Sequence, residues 1–281
     1  MNISLFTGIF SELPLLEIIP VAGKIGYDAM EIRVISHLPS DIPDEELGKI
    51  KEKLEEHKLK VSLLYTPLGR YTQKNDEECK RELEKFKRYL TLGEKLGVKL
   101  YLQLEGGPSP EEAKEEDYRR AAKWVKEAAK LAQDFEAKVC METHFGGLVE
   151  NPDSAIKLLE MIGEDNAGII YDASNLYISQ ADWGEKGIKK LGERIFHFHV
   201  KDMKMVKPDT PGAVKIKGYF YVHTLLGEGD VDHRICFKAL KDIGYEEYLS
   251  CECHLKIDPY LRAEHEYKKV KELLDKIKGG E

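Results

Sequence analysis

Between Ile195 and Asp202 the chain reads I-F-H-F-H-V-K-D, a strict alternation. In an extended strand Ile195, His197, His199 and Lys201 face one side, and Phe196, Phe198 and Val200 face the other. One face is apolar. The other carries two imidazoles and an ammonium, groups that ligate metals or move protons. Carboxylates end other extended segments: Glu142 in Met-Glu-Thr-His, Asp172 in Tyr-Asp-Ala-Ser-Asn, and Glu252 between Cys251 and Cys253. Glu142, Asp172, His199 and Glu252 at a common level would form an oxygen-rich shell for a divalent cation. Mn²⁺ comes first for such a shell, with Mg²⁺, Co²⁺ or Zn²⁺ as alternatives.

Whether these residues meet depends on the elements that carry them. Apolar or alternating runs predict strands at residues 3–7, 27–34, 59–65, 98–104, 138–143, 167–172, 195–202 and 248–253. A segment of helical periodicity follows each, and several close at glycine: the first at Gly26, the third at Gly97. Eight strand–helix units imply parallel strands joined by crossover helices, and eight is the number that closes a (β/α)8 TIM barrel. An open doubly wound sheet would show a Gly-rich phosphate fingerprint after its first strand, where this chain has Thr7-Gly8-Ile9-Phe10. The reading is therefore one TIM-barrel domain over residues 1–281. A long βα connection at about 203–228 reads as a lid or substrate loop.

In a barrel of this type the reacting groups stand at the C-terminal ends of the strands. That rule selects Glu142, Asp172, His199 and Glu252 on four consecutive strands. Alone, any of them could pair with a lysine or cap a helix. Crowded together, three carboxylates repel and raise one another's pKa, a cost that a cation relieves. His197 lies one layer deeper than His199 and reads as a hydrogen-bonded core histidine rather than a ligand. His144 and His254, each two residues beyond a proposed ligand, together with Lys201 and Asn175, are candidate substrate contacts. Rim salt bridges or caps are the competing roles for each. Asp202 is placed to orient Lys201 or the following loop. Cys251 and Cys253 share the face opposite Glu252 and are expected to be buried against helices rather than to bind metal.

The bulk numbers narrow the partners. The chain has 281 residues, a net charge of -8 and 33% charged side chains, which argues against a general nucleic-acid surface. Five cysteines without framework spacing point to reduced thiols and a cytoplasmic location. No stretch is apolar for long enough to span a bilayer, and residues 1–10 lack the pattern of a signal peptide. A small-molecule partner is expected, and homo-oligomerisation is left open.

The motifs Met-Glu-Thr-His-Phe-Gly-Gly around Glu142, Tyr-Asp-Ala-Ser-Asn around Asp172, His-Val-Lys-Asp around His199, the C-terminal Glu252 and Gly227-Glu-Gly-Asp-Val-Asp together resemble the xylose-isomerase-like TIM barrels, in particular the sugar phosphate isomerase/epimerase group. The resemblance covers nearly the whole chain. It implies a metal-dependent isomerase or epimerase of a keto-sugar or related polyol. Glu142 and Glu252 would be both metal ligands and the acid/base pair that removes and returns a proton through an enediolate. The chain departs from the related ketose 3-epimerases at Asn175, Leu148 and Met205, where they carry His, Glu and Arg. A lyase that dehydrates a keto-sugar or inosose through the same enolate is the alternative. The family-2 apurinic endonucleases share the barrel, but they need further His and Asp ligands where strands three and four here end in Tyr65-Thr66 and Gln103-Leu104-Glu105.

Overall fold

The alternation of strands and helices closes on itself. A computed structural model, which describes residues 1–279, places eight parallel strands in a closed barrel with helices outside. The barrel strands are β1 (Asn2–Phe6), β2 (Ala29–Arg33), β3 (Lys60–Tyr65), β4 (Leu100–Leu102), β5 (Lys138–Glu142), β6 (Ala167–Asp172) and β7 (Ile195–Val200). An excursion follows, made of β8 (Asp202–Val206), β9 (Val214–Ile216) and β10 (Tyr219–Thr224). The wall is completed by β11 (Tyr248–Cys251), which pairs with both β7 and β1. The helices in chain order are α1 (Leu15–Ile25), α2 (Val34–His37), α3 (Asp44–Glu56), α4 (Asp76–Lys95) and α5 (Glu115–Gln133). They continue as α6 (Pro152–Ile162), α7 (Ala173–Ile178), α8 (Glu185–Leu191), α9 (His233–Asp242) and α10 (Pro259–Gly279).

Strands of an α/β barrel are covered on both faces, so they read as near-continuous apolar runs. β6, with Ala-Gly-Ile-Ile-Tyr-Asp, is buried at every residue. The lumen is filled by Leu63, Leu100, Leu102, Cys140 and Ile170, while a larger core lies between the wall and the helices. α5 shows how a charged helix serves that core. Ala121, Ala122, Val125, Ala128, Ala129 and Ala132 form its buried face, and small side chains allow it to lie close to the wall. Close approach also explains Gly168, where a Cβ would stand 2.4 Å from Phe196 Cδ2.

Several local details differ from the sequence reading. β4 spans only Leu100–Leu102 and β7 stops at Val200, because the strand ends turn into loops that build the rim. α5 starts at Glu115 rather than residue 111; the Asp117 carboxylate accepts from Lys114 N at 2.8 Å and fixes that start. The excursion at 203–228 was expected as a lid or loop. It is built as an antiparallel sheet of order β8-β10-β9. Its β9–β10 turn is fastened to the body by Lys217, which pairs with Glu150 at 2.5 Å and Glu111 at 3.1 Å.

Asp202, expected to orient Lys201 or the loop, orients the loop. Its two oxygens accept backbone N–H groups from Met203, Gly227, Gly229 and Val231 at 2.9–3.3 Å. The segment Gly227-Glu-Gly-Asp is thus wrapped around one buried carboxylate. Among the described residues no helix is long and apolar enough to cross a membrane. The five cysteines are free and buried, Cys251 and Cys253 included.

Candidate metal and proton-transfer site

Strand register brings the selected residues to one level. Asp172 on β6 lies beside His199 on β7, and Ser250 on β11, two residues before Glu252, also pairs with His199. Thr143 fastens the end of β5 to β6: its hydroxyl accepts from Asp172 N at 2.9 Å, and its own N–H reaches Ile170 O at 3.0 Å. Ligand atoms from Glu142, Asp172, His199 and Glu252 lie within 4.8 Å of one another, and all four residues are buried. His199 Nδ1 stands 3.3 Å from Glu142 Oε1, 3.2 Å from Glu252 Oε2 and 3.7 Å from Asp172 Oδ2.

Asp172 divides its two oxygens. Oδ1 caps α7 by accepting Asn175 N at 2.8 Å. Oδ2 turns to the site, sealed from solvent, with the Lys201 ammonium 2.7 Å away and no well-directed hydrogen bond. Three carboxylates, one of them with an under-satisfied oxygen, and one imidazole nitrogen converging on one point are a donor set that fits a hard or borderline divalent cation.

The carboxylates reshape the titration of everything near them. Burial would raise Glu252, but Lys201 and His199 outweigh it and hold the carboxyl well below its usual range. The same contest lowers Asp172, with Lys201 and then His199 as the lowering groups. Burial alone would depress His199, yet Glu31, Glu252 and Glu142 push its imidazole well up. Lys201 likewise stays firmly charged against the cost of burial, through Asp172, Glu252 and Glu142.

Glu31 had no role in the sequence reading. It is fully buried on β2, beside a slip of register between β2 and β3, the kind of irregularity that re-aims a side chain next to a site. Its carboxylate lies 2.9 Å from His197 Nε2 and 3.1 Å from His199 Nε2. Burial works against ionisation, but the charge and hydrogen bonds of the two histidines bring its pKa to about 2. An anionic Glu31 accepts His199 Nε2–H, so it is Nδ1 that faces the donor set and would be left to a cation that displaces its proton. His197 sits deeper, on the same carboxylate, as its alternation implied.

The remaining candidates separate. Asn175, expected at the substrate, is buried and donates from Nδ2 to Glu142 Oε1 at 3.0 Å. Tyr65, given no role at the site by the sequence, donates its hydroxyl to Glu142 Oε2 at 3.4 Å. Lys201 borders the cleft, but its Nζ is among the carboxylates, 3.0 Å from Glu252 Oε2 as well as beside Asp172. His254 is half exposed with Nε2 3.3 Å from Glu252 Oε1. His144 is exposed on the opposite wall. Both line a cleft of about 640 Å³ whose floor includes Glu142 and Glu252. The 203–228 sheet supplies none of the residues lining that cleft.

Residues 19–277 match the model of the family described as xylose isomerase-like TIM barrel. The chain is 24% identical over 258 residues to an inosose isomerase of Bacillus velezensis, covering 90% of this chain and 88% of that one. It is 29% identical over 160 residues to an inosose dehydratase of Clostridium perfringens, a match that spans about half of each chain. Among solved structures it is similar to the IOLI protein with a binding zinc atom, with TM-score 0.81, 22% identity and coverage of 98% and 99%. It is also similar to an L-ribulose 3-epimerase, with TM-score 0.80, 18% identity and coverage of 99% and 96%.

Proposed function

We propose that this chain, which belongs to the xylose isomerase-like TIM barrel family, is a divalent-metal-dependent isomerase or epimerase of a keto-sugar or related polyol. The observation that carries this reading is the donor set Glu142, Asp172, His199 and Glu252, converging at the floor of an open cleft. A divalent cation held there, Mn²⁺ by preference, would polarise a substrate carbonyl and lower the cost of an enediolate.

The protein's own part is proton transfer. Glu142 is oriented by Asn175 Nδ2 and Tyr65 hydroxyl, one on each carboxylate oxygen. Glu252 is oriented by Lys201 and His254. Two carboxylates held from different sides of the floor can take a proton from one face of a carbon and return one to the other. His144 and His254 are the groups in reach of substrate hydroxyls along the walls. Names of relatives support the class: an inosose isomerase aligns over nearly the whole chain.

Dehydration is the second reading. It begins with the same proton removal, and His254, 3.3 Å from Glu252, would protonate the departing hydroxyl. The inosose dehydratase match supports it over half the chain.

Incubation of the metal-reconstituted protein with a panel of ketoses and keto-inositols in D₂O, followed by proton NMR, separates the two. Exchange next to the carbonyl with inversion or carbonyl migration supports the isomerase, and loss of water supports the lyase. A protein that binds no divalent metal after reconstitution excludes both. Glu142→Gln and Glu252→Gln each abolish exchange on this reading, and turnover surviving in either variant removes that residue from its role.

A further inference from the structure

The one cation among the candidate substrate contacts of the sequence was Lys201. In the fold that ammonium is engaged, 2.7 Å from Asp172 and 3.0 Å from Glu252 beneath the cleft surface. Two other cations line the same cleft, Arg33 and Arg70. Of the nine arginines, Arg119, Arg120 and Arg234 pair with a carboxylate among the described residues, and of the six that do not, Arg33 and Arg70 are the two lining the cleft. In a chain with 51 acidic and 43 basic side chains, two guanidinium groups without a counter-ion in one cleft call for an explanation.

Both are held in place by their surroundings. Arg33 is the last residue of β2, and its N–H donates to Thr7 Oγ1 at 2.9 Å. Its stem crosses Gly8, where a Cβ would stand 3.1 Å from Arg33 Cδ and closer still to the Phe6 ring, so a side chain at position 8 would displace both. Nη1 donates to Ser36 Oγ at 2.9 Å, a neutral partner that steadies the group and leaves its charge uncompensated. Arg70 has φ 54 and ψ 47, a left-handed conformation unfavourable for a residue with a Cβ. The fold imposes it by stitching the β3–α4 loop to the end of β4: Leu104 N donates to Leu68 O at 2.8 Å, and Arg70 N to Leu104 O at 2.6 Å. An exposed arginine fixed in a strained backbone by a paired loop is presented, not trailing. Gln73, one helical turn further on, adds an amide to the same wall.

The geometry points to a built anion subsite: Arg33 and Arg70 receive a phosphate or carboxylate at the end of the substrate remote from the proton-transfer carboxylates. Planar guanidinium forks suit the oxygens of either group, and two forks on separate elements suit a group with several oxygens. The substrate class is then a keto-sugar or polyol carrying one terminal anionic group, rather than a neutral ketose. This rests on the proton-transfer reading of the same cleft, but the subsite can be tested without turnover.

The experiment has two parts. Binding of inorganic phosphate and of acetate to the metal-free protein is measured by calorimetry for the wild type, Arg33→Gln and Arg70→Gln. Exchange in D₂O is then measured on the metal-reconstituted proteins with a six-carbon ketose, its terminal phosphate ester and its terminal uronate. The expected result is phosphate or acetate binding weakened at least tenfold in each variant. The wild type is also expected to prefer one anionic substrate over the neutral ketose by about a hundredfold in kcat/KM, mostly through KM, and this preference collapses towards unity in both variants. Preference for the ester identifies a phosphate, and preference for the uronate identifies a carboxylate. Equal or better use of the neutral ketose by the wild type overturns the inference while leaving the proton-transfer reading intact. Absence of exchange with every compound removes the proton-transfer reading. The subsite is then decided by the binding arm alone, where anion affinity unchanged in both variants overturns it.

Discussion

Replacing Glu31 by Gln tests whether the residue beneath the donor set governs it. The carboxylate offers two acceptors, one to His197 Nε2 at 2.9 Å and one to His199 Nε2 at 3.1 Å. A glutamine fills the same volume but presents one acceptor and one NH₂. If the NH₂ meets His199, Nε2 must become the acceptor and the proton moves to Nδ1, which removes the lone pair that faces Glu142, Asp172 and Glu252. If it meets His197 instead, that ring must carry its proton on Nδ1, a buried atom that has no hydrogen-bond partner. A buried donor left unpaired costs about 1–3 kcal/mol. Either arrangement penalises the ligating tautomer of His199 or its neighbour. Loss of such supporting carboxylates weakens metal binding by roughly 10–100-fold, or about 1.4–2.7 kcal/mol. Calorimetric titration of Mn²⁺ into metal-free wild type and Glu31→Gln measures this, with circular dichroism confirming that the fold is retained. A folded variant whose Mn²⁺ affinity stays within twofold of wild type refutes the tautomer argument.

Three further outcomes follow from the same geometry. Lys201→Met removes an ammonium that competes for Asp172 and Glu252, so Mn²⁺ binding tightens while the metal-free protein loses thermal stability; weaker binding would show that Lys201 supports the cation rather than competing with it. Glu266, fully buried with Oε2 unpartnered, has its carboxyl raised by burial from 4.5 to about 7. Its folded pKa lies above its unfolded one, so its stabilisation is full below about pH 4.5 and is lost as pH rises to about 7, by on the order of 3 kcal/mol. Urea unfolding of Glu266→Gln relative to wild type should show that difference growing across this window, and a constant difference would contradict it. Asp202→Ala strips the shared acceptor from four backbone N–H groups and should cost about 2–4 kcal/mol in the same assay; a loss under 1 kcal/mol would mean that water replaces the carboxylate.

Some of this was legible because it depends on local period and on counting. Alternation put His197 and His199 on one face, and eight strand–helix units placed Glu142, Asp172, His199 and Glu252 at equivalent strand ends. Neither step requires knowledge of which residues touch across the molecule. The excursion after β7 was legible as an insertion. Its sheet was not, because β8 and β10 pair through residues such as Lys204 and Val222 whose alternation is too short and too mixed in polarity to announce a strand.

The misses share one cause. β2 and β7 are not neighbours in the wall, since β1 and β11 lie between them, and Glu31 reaches His197 across the lumen over a separation of 166 residues. A charged residue within Ala-Met-Glu-Ile was a visible signal: buried on a barrel strand, it needed a cationic or N–H partner. What the linear chain could not reveal was which one. For Lys201, a candidate substrate contact, strand position gave the level of the side chain but not the number of carboxylates converging on it. Once three carboxylates share that level, the nearest ammonium is drawn in among them, and the cations left for a substrate are those whose strands carry no carboxylate into the donor set. That condition selects the loop after β3, which ends in Tyr65, and the tip of β2, where Glu31 is turned down to the histidines and Arg33 is free to face the cleft.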